Sequence, residues 1–98
     1  MPEITVAEAD VRRVRDQIVD VREDEEVAEG MIPGAIHIPL GQLSARAEEL
    51  DRERPVITVC RSGQRSARAA EQLGAAGFDA ATMGGGMIAW HAADLPTT

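Results

Sequence analysis

Cys60 is the only cysteine in the chain, and its neighbours are of the kinds that make a thiol reactive. It ends a short apolar run, Val56-Ile57-Thr58-Val59. Arg61-Ser62-Gly63-Gln64-Arg65-Ser66 follow, and then an Ala-rich segment from Ala67 to Ala76. This order predicts a strand, a tight loop and the start of a helix. A helix opens with N–H groups that have no intrahelical partner, so they can point at an anion seated beside them. Cationic neighbours and helix N-termini lower a cysteine pKa from about 8.5 to roughly 3.5–7.5. Arg61 and Arg65 supply cations here. Cys60 is therefore a candidate nucleophile, with Arg61, Ser62, Gly63, Gln64, Arg65 and Ser66 as its anion cradle.

The elements that must position this loop are legible on either side of it. An apolar run without alternation suits a strand buried on both faces, as in a parallel sheet covered by helices. At the carboxyl edge of such a sheet the chain presents its ligands. Thr5-Val6-Ala7-Glu8 has capping-box spacing and predicts a helix running to Val14, with Ile4 before it in an edge strand. Residues 17–21 read as a strand, 35–38 as a short strand ended by Pro39, and 78–82 as the last strand. Residues 42–50 form a helical pattern in which Leu43, Ala47 and Leu50 make one apolar stripe. Ala69, Leu73 and Ala76 mark the core face of the helix after the cysteine loop, and Gly77 its left-handed stop. Strand and helix signals alternate throughout, which predicts an α/β fold with a mainly parallel sheet. The tail from Leu95 is expected to fray.

Cys60-Arg61-Ser62-Gly63-Gln64-Arg65-Ser66 resembles the active-site loop of the rhodaneses, sulfurtransferases that carry sulfur as a cysteine persulfide. Ile18-Val19-Asp20-Val21-Arg22-Glu23, the stretch from Gly30 to Pro39, and Gly85-Gly86 followed by Trp90 are similar to that family's other signatures, in its usual order. The resemblance spans nearly the whole chain. It implies a three-layer rhodanese-like domain over residues 1–98, with about five short strands and helices on both faces. It also implies a persulfide on Cys60 and no cofactor. Met31 stands where many relatives have histidine, and Val27 where many have an aromatic. These departures bear on local packing and selectivity rather than on sulfur chemistry.

Bulk composition narrows the partners. The formal net charge of −7 argues against nucleic acid, whose phosphates demand a basic face. No apolar run approaches the ~18 residues of a membrane span. Met1-Pro2-Glu3-Ile4 lacks the basic and apolar regions of a signal peptide, which predicts a cytoplasmic protein. One cysteine leaves no resolving thiol, so a persulfide on Cys60 must pass its sulfur to an external thiol, protein acceptor or cyanide. The expected donor is a small sulfur-bearing anion such as thiosulfate.

Other chemistry-bearing residues read as structural. Asp20 and Arg22 flank Val21 and are expected to brace loops at the sheet edge. The acidic segment from Glu23 to Glu29 reads as a short helical turn facing water, and Arg68 as a solvated helix residue. His37 and His91 are isolated and do not make a metal site. Gly84-Gly85-Gly86 lacks the Lys-Ser/Thr of a phosphate loop and is expected to permit tight packing. Trp90 is expected to anchor the core or its rim.

Two further functions fit the same loop. A persulfide carrier or docking module for a protein partner would need the same cradle with little small-molecule turnover. A cysteine-dependent phosphatase would need a ring one residue larger than the four residues that separate Cys60 from Arg65, and an acid for the leaving alcohol. The smaller ring favours sulfur.

Overall fold

The computed structural model describes residues 2–98 and is organised around β4, Val56–Val59, whose four residues are all buried. On one side β4 pairs with β5 (Ala80–Met83), and beyond it lies β1 (Glu3–Ile4). On the other side it pairs with β2 (Gln17–Asp20), flanked by β3 (Ile36–His37). Every pairing is parallel, and the order is β1-β5-β4-β2-β3. From β2 the chain winds outward to β3, and from β4 it winds the other way to β5. The connections therefore diverge between β2 and β4, and this switch point is where open α/β sheets form a crevice.

Side chains alternate across each strand, so β4 feeds two cores. Val56 and Cys60 pack with Leu43, Ala69, Ala70 and Leu73 beneath α3 (Leu43–Arg46) and α4 (Gln64–Ala75). Ile57 and Val59 pack with Ala9, Met87 and Trp90 beneath α1 (Val6–Arg12) and α5 (Gly86–Ala92). Cys60 thus shares the face of the sheet that α4 covers. The short α2 (Asp24–Val27) buries none of its residues and follows β2 at the carboxyl edge.

Most departures from the sequence reading lie at element ends. The Thr5/Glu8 capping box is present, but α1 stops at Arg12. There Asp16 closes the last turn, taking the Arg12 side chain at 2.7 Å and donating its N–H to the Arg12 carbonyl. The helix expected over 42–50 is broken, with 3-10 turns at Leu40–Gln42 and Ala47–Glu49 around α3. The last strand begins at Ala80 rather than Phe78. Gly77 reverses the chain at φ 97°, and Phe78 packs in the core under the Arg52 guanidinium, 4.5 Å from its ring centroid. Ala76 is exposed, and the buried face of α4 is Ser66, Ala69, Ala70 and Leu73. The tail does not fray, because Trp90 Nε1 donates to the Pro96 carbonyl at 2.9 Å and Thr98 N–H to the Met31 carbonyl at 2.9 Å. Among the described residues, no helix is long and apolar enough to cross a membrane.

Candidate active site

Leaving β4, the chain turns around the sulfur of Cys60 and enters α4 through Gly63. That residue sits in the left-handed region at φ 110°, where a side chain would be strained. The turn brings the Gly63 N–H to 3.0 Å from Sγ. Ser66 Oγ lies 3.4 Å from the same sulfur. On the outer side of the loop, Met87 and Ile88 donate their N–H groups to the carbonyls of Cys60 and Arg61 at 2.9 and 3.1 Å. With those carbonyls engaged by the start of α5, loop amides are left to face inward. Gly86 makes this contact possible, since a Cβ there would overlap both carbonyls. The glycine run thus permits close packing, and what it packs against is the backbone of the cysteine loop itself.

Cys60 is 1% exposed. Burial alone pushes a thiol pKa up. The Ser66 hydroxyl and the backbone amides of Ser66, Gly63 and Ser62 outweigh it, and the pKa lies below the ordinary thiol value. Arg61, Ser62 and Gln64 are exposed on the rim, Gly63 and Arg65 are half-buried, and Ser66 is fully buried. Two of the six residues of the expected cradle are brought within hydrogen-bond distance of the sulfur. Gly63 and Ser66 contact it, whereas the Arg65 fork points elsewhere.

Arg65 Nη1 and Nη2 bind Glu26 Oε1 and Oε2 at 2.7 and 2.8 Å. That paired contact, with the charge of Arg65, holds the Glu26 carboxyl down at about 2 and pushes the Arg65 guanidinium up. The sequence reading of residues 23–29 as a solvated acidic face is therefore corrected at Glu26. Its partner lies 39 residues away, too far for any local pattern to reveal. Asp20 and Arg22 prepare this contact. They form a buried ion pair at 2.8 Å, and Arg22 also donates to the carbonyls of Gly30 at 2.8 Å and Glu26 at 3.4 Å. The brace fixes α2 and so aims Glu26 across the switch point at the cysteine loop.

A cleft of about 220 Å³ opens at that switch point, lined by Arg22, Glu26, Glu29, Arg61, Met87, Ile88 and His91. It lies beside the cysteine loop, of which Arg61 is a wall. A larger groove of about 610 Å³ at the amino edge of β5 is lined by Pro2, Ala70, Glu71, Gly74, Phe78, Asp79 and Ala80, none of them a nucleophile or a cation. His37 donates from Nε2 to the Arg22 carbonyl at 2.7 Å, a structural contact. Among the described residues, no group of three or more His, Cys, Asp or Glu could hold a metal ion.

The match to known proteins agrees with this geometry. The rhodanese-like domain family covers residues 5–93. The chain belongs to the rhodanese-like domain family. YtwF of Bacillus subtilis is 46% identical over 79 residues, covering 81% of this chain and 77% of that protein. The thiosulfate sulfurtransferase GlpE of Shewanella oneidensis is 37% identical over 79 residues, covering 80% and 78%. The crystal structure of a rhodanese-related protein from Thermoplasma volcanium superposes with a TM-score of 0.95 at 28% identity, covering 100% of this chain and 98% of that one. The observed fold is the three-layer α/β arrangement of this family, with a five-stranded parallel sheet.

Proposed function

We propose that this rhodanese-like domain is a sulfurtransferase that moves sulfane sulfur through a persulfide on Cys60. The Cys60 thiolate attacks the outer sulfur of thiosulfate or a similar donor. The donor S–S bond breaks and sulfite leaves with the bonding pair. In the second half-reaction an external thiolate or cyanide attacks the outer sulfur of the persulfide, and the Cys60 thiolate is released. No redox partner is needed, because each half-reaction exchanges one nucleophile for another.

The observation that carries this reading is the sulfur seated on the Gly63 amide and the Ser66 hydroxyl at the switch point. Oriented donors of this kind are worth up to about 3–4 kcal/mol each when they serve a localised oxyanion, and less for diffuse sulfur charge. The ring is small and its sulfur recessed, which suits a slim sulfur terminus better than a tetrahedral ester. Phosphate transfer would also need the Arg65 fork for equatorial oxygens, and Glu26 already occupies it. Arg61, exposed on the cleft wall, is then the residue that attracts the donor anion.

Thiosulfate:cyanide turnover by the wild-type chain and by Cys60→Ser tests the proposal. Thiocyanate production that disappears in the variant is the expected result. A stable persulfide on Cys60 without turnover would point to a carrier serving a protein partner, and Cys60-dependent hydrolysis of an aryl phosphate would overturn the sulfur assignment.

A further inference from the structure

A line of buried hydroxyls runs from the cysteine loop into the sheet. Thr82 on β5 pairs in register with Thr58 on β4, so both face α4 and flank the path to Cys60. Thr58 Oγ1 is committed to carbonyls, those of Ser66 at 2.7 Å and Ala81 at 3.3 Å. Thr82 Oγ1 meets Ser66 Oγ at 2.8 Å, and Ser66 Oγ in turn meets Cys60 Sγ at 3.4 Å. Ser66 is 0% exposed and Thr82 2%, so both hydroxyls are shielded from bulk solvent.

Counting protons gives the line a direction. A thiolate can only accept, so Ser66 must give its single proton to the sulfur, and its oxygen is then free to accept from Thr82. Two hydroxyl protons serve two contacts, and each is used. With Cys60 as a thiol there are three protons for the same two contacts, and one buried donor is left without an acceptor. The hydroxyl line is complete only when the sulfur is ionised.

We propose that Thr82 is a positioning residue for the Cys60 nucleophile, its hydroxyl donating to Ser66 so that Ser66 donates to the sulfur. The ordinary role of a buried threonine in a strand would be packing, and a valine would serve it equally well. Here valine would remove the donor that polarises the Ser66 hydroxyl, and the hydrogen bond from Ser66 to the thiolate would weaken. The inference requires that Cys60 ionise, whichever donor supplies sulfur, so it stands or falls separately from the thiosulfate assignment.

The test is a titration of thiolate ultraviolet absorbance, which needs no reagent to reach the recessed sulfur. Cys60 is the only cysteine and there is no tyrosine to obscure it. Arg61 and Arg65 face the loop as cations in every variant, Glu26 closes Arg65, Arg22 closes Asp20, and His37 and His91 are common to all. Differences between variants therefore report the hydroxyls. Thr82→Val should raise the Cys60 midpoint by roughly 0.3–1 unit, about a two- to tenfold fall in the thiolate-to-thiol ratio at fixed pH. Thr82→Ser should restore it. An unchanged or lowered midpoint in Thr82→Val, or no restoration by serine, would overturn the proposal. Should the valine variant fail to fold, the wild-type chain decides. The Thr82 methyl carbon shift should then follow the Cys60 titration and stay flat in Cys60→Ser, and a flat wild-type profile counts against the proposal.

Discussion

Two strand-to-helix loops lie side by side at the carboxyl edge of the sheet, one after β4 and one after β5. Each enters its helix through a glycine at positive φ, Gly63 at 110° and Gly85 at 78°. Both follow a strand whose four residues are buried. The first turns an amide toward a sulfur. The second turns its amides toward the first, with Met87 and Ile88 taking the carbonyls of Cys60 and Arg61. A peptide unit has two polar ends, and a loop that spends its N–H groups on an anion must dispose of its carbonyls elsewhere. The turn around the Cys60 sulfur is thus built from two loops. One loop supplies the charge-stabilising donors, and the other supplies the reason they stay turned inward.

Substituting one glycine in each loop separates these roles. Gly86→Ala should have the larger effect, because it combines a positive φ of 57° with a Cβ that overlaps the Cys60 and Arg61 carbonyls. A loss of roughly 2–4 kcal/mol in unfolding free energy is expected, with activity falling alongside it. Gly63→Ala meets nothing nearer than the Gly85 nitrogen at 3.4 Å. Its cost is backbone strain of about 1–3 kcal/mol, and the relaxed chain would rotate the N–H off the sulfur. There kcat/KM should fall by on the order of 100-fold, more than stability alone explains. Denaturant melts and steady-state kinetics on both variants check the ordering. Equal loss of activity per unit of stability in the two would erase the distinction between a chemical loop and a supporting one.

Glu26 ties α2 to the same site from the opposite side of the switch point, with a smaller expected effect. Its carboxyl pKa is depressed from 4.5 to about 2 by the Arg65 contact. A depressed carboxylate contributes stability that is fully present above its unfolded value and is lost as pH falls through the folded one. The stability difference between wild type and Glu26→Gln should therefore be constant above about pH 5 and shrink toward zero near pH 2. Because the pair is partly exposed, the plateau should be small, within about 1 kcal/mol. Acid titration of the melting temperature of both chains measures it, and a difference that grows with acidity would contradict the pairing.

The local chemistry of the cysteine loop was visible in the amino-acid order because it is local. Strand, turn, glycine and helix start follow one another within residues 56–66, and the Thr5/Glu8 cap likewise spans four positions. What escaped is carried by contacts between distant residues. Glu26 reads as one acid among several until α2 is placed opposite Arg65. Thr82 reads as strand filler until β5 is registered against β4. The tail reads as loose until Thr98 finds Met31 and Pro96 finds Trp90. The start of the last strand differs for a related reason, since Phe78 is decided by where Gly77 turns the chain and not by its own preference for a strand.

Intact-mass measurement of the chain after incubation with thiosulfate reaches the central claim most directly. The wild type should gain one sulfur atom, lose it on adding a thiol reductant, and show no gain when Cys60 is replaced by serine. An unchanged mass in the wild type, or the same gain in the serine variant, would contradict sulfur transfer through Cys60.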